Sequence, residues 1–229
     1  MGFLKDYFTN VFHERETART TNSFERVSED ILQRHLEVNR YGSFTLTDAV
    51  RPSFDLKVVP SEGYKHDQYE DDQGRGNIPV LMTAISRERL FEVFMDLLDP
   101  LGNTVDVVLE TSHGSQGSSH RDLYREHLDM PVLKSLLWDH EDLLTNDGCC
   151  GIAILNPQVP HEIQFDEHKL LIVYSHALDE FQDILDRHDI PRNEQMRFIT
   201  EAEHVHSSSQ HYLEQFEILR TQLGMDIDY

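Results

Sequence analysis

Histidines 204 and 206 alternate in the chain, so on an extended segment both imidazoles leave the backbone on the same side. Glu201 lies just upstream, and a second segment, Glu110-Thr111-Ser112-His113, has the same Glu…His order as Glu201-Ala202-Glu203-His204. Neutral imidazoles with carboxylates are the donor set of zinc and similar divalent ions. His113, His204, His206, Glu201 and Glu110 are therefore the candidate metal ligands, although no HExxH or CxxC pattern completes a site. The plain alternative is a polar strand end carrying solvated histidines, since a chain with 14 of them brings some together by chance.

Two further groups of residues have types that could do chemistry. Residues 114–119 read Gly-Ser-Gln-Gly-Ser-Ser between an apolar run and a stretch with helical signals, so backbone N–H groups there could hold a phosphate or carboxylate. Gly114, Ser115, Gly117 and Ser119 are the candidate anion-binding positions, but neither the P-loop nor the dinucleotide fingerprint is present. Ser115 is not in a G-x-S-x-G elbow. Cys149 and Cys150 are neighbours, a spacing that disfavours a mutual disulfide and predicts reduced thiols. A nucleophilic thiol needs a base, and nothing adjacent in the sequence supplies one.

These residues must be positioned by a strongly acidic chain. Its 42 Asp and Glu against 20 Lys and Arg leave a formal charge of −22, with no basic cluster. That balance excludes the usual nucleic-acid and anionic-membrane binders, which place cations on phosphates. It suits a soluble, salt-tolerant surface. No segment approaches the roughly 20 apolar residues of a membrane span. Asp6, Asn10 and Glu14 interrupt any leader-like core, so a cytoplasmic location is expected.

The apolar periodicity predicts an α/β (or α+β) fold: a mixed sheet packed with helices, preceded by an N-terminal helical arm. Phe3, Leu4, Tyr7, Phe8 and Val11 share one helical face in that arm, residues 1–40, and a second helix is expected over 24–36. Strands are expected at 44–46 and 54–58, a long loop at 61–77, and a buried strand at 80–85. A helix at 87–98, a strand at 105–109 and helices at 120–128 and from Pro131 onward follow. The second half predicts strands at 152–155, a hairpin of 162–166 with 170–174, a helix at 177–187, a strand at 196–200 and a last helix up to Gly224.

The two halves run in similar order, and Phe91, Phe94, Leu97 and Leu98 match Leu178, Phe181, Ile184 and Leu185 at a constant shift. This predicts an internal duplication of a β-β-α-β-α unit, 41–145 and 146–229, as two lobes or one continuous sheet. Lacking a complete catalytic set, the chain reads first as a non-catalytic interaction or regulatory module. Its partner would be another protein or a second copy, docked through the N-terminal arm. On that reading no cofactor is needed. The rival reading is a divalent-metal protein, a hydrolase among its forms, built on the His/Glu set.

Overall fold

A computed structural model describes residues 23–24, 27–70, 77–113 and 121–225. Helix α1 (Glu29–Leu36) leads into short strands β1 (Arg40–Tyr41), β2 (Phe44–Thr45) and β3 (Val50–Pro52). Then come β4 (Gly63–Glu70), β5 (Asn77–Ala84), α2 (Arg87–Leu97), β6 (Thr104–Thr111), β7 (Arg121–Asp129), α3 (Met130–Asp139) and α4 (Glu141–Asn146). The chain continues through β8 (Cys150–Leu155), β9 (Glu162–Phe165), β10 (Leu170–Tyr174), α5 (Asp179–Arg187), β11 (His204–His206) and α6 (Gln210–Gln222).

The α/β fold is thus a seven-stranded sheet with helices packed on it, in the order β4-β5-β10-β9-β8-β6-β7. Every pair in that sheet is antiparallel. Alternation along the strands gives it two unlike faces. Val107, Leu109, Ile152, Ile154, Ile163 and Phe165 bury one face in the main core. Against them α2 sets Leu90, Phe91, Phe94 and Leu97, spaced as one helical stripe, and α5 sets Phe181, Ile184 and Leu185. Phe94 meets Phe165 edge-on, with ring centroids 4.9 Å apart. On the opposite face, Ala84 and Leu170 join Phe44, Leu46, Val50 and Phe198 in a smaller cluster. That cluster holds the two-stranded ribbon of β3 and β11 against the sheet.

Several elements differ from the sequence expectations. The stretch 120–128, expected as a helix, is the edge strand β7. Its inward residues Leu123 and Leu128 are five apart because a bulge interrupts the ladder between Val105 and Val107, where His127 has φ 57°. The extra residue shifts the alternation and removes the strand signature. The expected loop at 61–77 contains β4, another edge strand, whose Lys65, His66 and Asp67 are the charges that edges carry. The strand expected at 54–58 is a turn, with Leu56 at φ 49°, and pairing occurs earlier, at β3. The apolar stretch 196–200 buries Met196, Phe198 and Ile199 without pairing as a strand, and ends in a 3-10 turn, Ile199–Glu201.

Strands from the first half form both edges of the sheet, and β8, β9 and β10 from the second half fill its middle. The expected repeat would pair 120–128 with α6, a strand with a helix. The duplication therefore stays an expectation of the sequence. No described helix is long and apolar enough to cross a membrane.

Candidate metal centre

β11 is only three residues long, and its position is fixed from both sides. It pairs antiparallel with β3, His204 opposite Pro52 and His206 opposite Val50. Just beyond it, the Ser207 N–H donates to Ala49 O, and Ser207 O accepts from the Gly148 N–H, each at 2.8 Å. Period two then sends both histidines to one side.

A third imidazole meets them there. His168 sits in the tight β9–β10 turn, which Asp166 organises: its Oδ1 accepts the Leu170 N–H at 2.7 Å, and Lys169 takes φ 65°. The three rings pack edge to face, with centroids 4.7, 4.7 and 5.0 Å apart. One ligand atom from each histidine lies within 4.8 Å of the other two.

The second nitrogen of each ring is tied down. His204 Nδ1 donates to Ala202 O and His206 Nδ1 to Gly148 O, both at 2.8 Å. A carbonyl only accepts, so both Nδ1 atoms carry the proton, which leaves the lone pair of each neutral ring on Nε2. His168 Nδ1 bonds Asp166 Oδ2 at 2.9 Å, and its Nε2 lies 3.1 Å from His204 Nε2. This is how metal-binding histidines are usually held: one nitrogen toward the metal, the other on a carbonyl or carboxylate.

The electrostatics follow from crowding. Burial first, then the charges of His168 and His204, push His206 down to about 4, so it is neutral at ordinary pH. Burial opposes charge on His168, but the Asp166 carboxylate outweighs it and raises His168 above the usual histidine value. Burial likewise works to raise Asp166, yet His168, the Leu170 N–H and Lys169 hold it below the usual carboxylate range. The proton that Asp166 favours on His168 is one that a divalent ion would have to displace.

The sequence candidates divide accordingly. His204 and His206 come together. His168 was missed, because its partners are 36 and 38 residues away and no linear spacing links them. Glu201 is engaged elsewhere, with Lys65, Arg197 and the Phe198 N–H. Glu110 lies on the sheet face opposite the main core, buried, and its Oε1 has no hydrogen-bond partner among the described residues. Burial first, then the carboxylates of Asp122, Asp166, Glu162 and Glu167, raise it to about 9. His113 belongs to a second group with Asp147 and Cys149. The anion-binding candidates Gly114, Ser115, Gly117 and Ser119 lie outside the described residues, as do Phe3, Leu4, Tyr7, Phe8 and Val11 of the arm.

The cysteines are unlike each other. Cys150 is fully buried, and burial pushes its thiol up to about 12, which makes it inert. Cys149 is half-buried.

Each of the three histidines is partly buried. A cleft lined by Phe44, Leu46, Phe198 and Arg197 reaches His168 but neither His204 nor His206. Three imidazoles that converge in this way could hold a divalent ion. No family model, no curated protein and no solved structure matches the chain.

Proposed function

We propose that the protein is a divalent-metal protein in which His168, His204 and His206 bind a zinc-type ion through Nε2. The observation that carries this reading is the convergence of three imidazoles, each with its other nitrogen held by Asp166, Ala202 O or Gly148 O. An all-imidazole set suits zinc better than magnesium or calcium, which take oxygen ligands.

With three protein ligands the fourth position falls to water. Zinc held there would lower the pKa of such a water to about 7 and so supply hydroxide at neutral pH. Metal-assisted hydrolysis or hydration is therefore the chemistry class, with substrate approaching from the half-buried side. Asp166 would act as a positioning residue, fixing the tautomer and direction of His168 and making it a better donor. A docking role for the N-terminal arm rests on residue spacing at 3–11 alone, and the converged imidazoles carry more.

Elemental analysis of protein purified without added metal, before and after zinc loading and dialysis, tests this. The loaded protein should retain zinc, and His168→Ala should retain one equivalent less with the same far-UV circular dichroism. Equal zinc in the two folded proteins would overturn the reading.

A further inference from the structure

We infer that His113, Asp147 and Cys149 form a second divalent-metal site, of mixed nitrogen, oxygen and sulfur donors. It goes beyond the three-imidazole reading and would stand without it. The register of the sheet builds it. β6 and β8 pair as far as Thr111 opposite Cys150, and the next rung continues with the Ser112 N–H on Cys149 O at 3.0 Å. His113, one residue on, thereby reaches the 147–149 turn. His113 Nε2 bonds Asp147 Oδ2 at 2.7 Å, and the donor atoms of His113, Asp147 and Cys149 all lie within 4.8 Å of one another.

Burial makes the arrangement informative. The Asp147 side chain is fully buried and that of His113 is 8% exposed. A carboxylate at such depth needs a cation or a shared proton beside it. Asp147 Oδ1 accepts the Cys149 N–H at 3.3 Å, while Oδ2 faces the imidazole. A divalent ion seated among the three donors would displace the proton between His113 and Asp147 and deprotonate the thiol. Half-buried Cys149 leaves a path of entry. The donor set suits zinc, and sulfur excludes magnesium and calcium as natural occupants.

The two sites share one turn. Gly148 lies between Asp147 and Cys149, and its carbonyl holds His206 Nδ1 at 2.8 Å. A Cβ at position 148 would run into Ala49 O and the Ser207 backbone, so only glycine lets the turn close on β11.

Cobalt(II) titration separates the two sites, because only a thiolate ligand gives an intense sulfur-to-cobalt band in the near ultraviolet. The wild-type protein should take two equivalents and show that band. Cys149→Ser should take one equivalent and lose it. His168→Ala should also take one but keep it, while His113→Gln should lose it again, each with unchanged far-UV circular dichroism. A wild-type protein without the band, or a band that survives in folded Cys149→Ser, overturns the second site. An undiminished equivalent count in His168→Ala, with the band behaving as described, would instead overturn only the three-imidazole centre.

Discussion

The two faces of the seven-stranded sheet use the same strands for different ends. On the helix-covered face every inward position of β8 and β9 is apolar or a buried thiol: Cys150, Ile152, Ile154, Ile163 and Phe165. On the other face the alternate positions include Glu162 and Gln164, which are as deeply buried as the aliphatics. Gln164 Nε2 donates to Glu162 Oε1 at 2.6 Å, and burial raises Glu162 to about 8. That second face also carries the ribbon on which His204 and His206 stand. One face therefore supplies stability through dispersion and burial, and the other keeps polar groups at depth. Buried polar groups are costly unless paired, so Glu110, Glu162 and Gln164 set this face apart from the apolar side of the same strands.

The largest expected effect probes the apolar face. Phe94→Ala removes a fully buried ring from α2 and its contact with Phe165. Urea unfolding should show a loss of about 3–5 kcal/mol, with zinc stoichiometry unchanged under native conditions. A loss of metal from the folded variant would mean that the two faces are not separable.

Next in size is Gly148→Ala, at the turn under the ribbon. The methyl group would meet Ala49 O and Ser207, so the turn must move. A destabilisation of about 1–3 kcal/mol is expected from overpacking. The Gly148 carbonyl would also release His206, so zinc retention should fall more than the modest stability loss explains. Unaltered zinc binding would show that the carbonyl does not hold the imidazole in solution.

A third test reads a pH dependence. Glu162 has a folded value near 8 against an ordinary 4.5, so between those limits the folded state holds a proton that the unfolded state has released. Stability then falls as pH rises through that window and levels off above about 8. Glu110, raised to about 9, adds a decline in the same direction. Urea midpoints measured across the window should decline less steeply for Glu162→Gln than for the wild-type chain. Parallel declines would assign the pH dependence to other groups and weaken the contrast between the faces.

The sequence was informative where local pattern and tertiary demand agree. The buried strand at 80–85, the stripe of Phe91, Phe94 and Leu97, and the hairpin around residues 167 and 168 all carry their own periodicity or turn chemistry, and all are present. Edge strands β4 and β7 were illegible because an edge is charged and only partly buried. In β7 a bulge also breaks the period of two that identifies a strand. His204 and His206 could be paired on paper because alternation fixes the side on which each projects.

His168 and the partnership of Cys149 with His113 had no such local signature. By itself the chain determined the acidic surface, the apolar helix stripes and the shared direction of His204 and His206, because charge and periodicity are properties of neighbouring residues. The tertiary structure alone decided which distant groups meet. A hairpin turn brings His168 to β11, and a ladder register brings His113 to Asp147 and Cys149. Strand register and packing order, set by the burial of the whole core, have no counterpart in the spacing of any one segment.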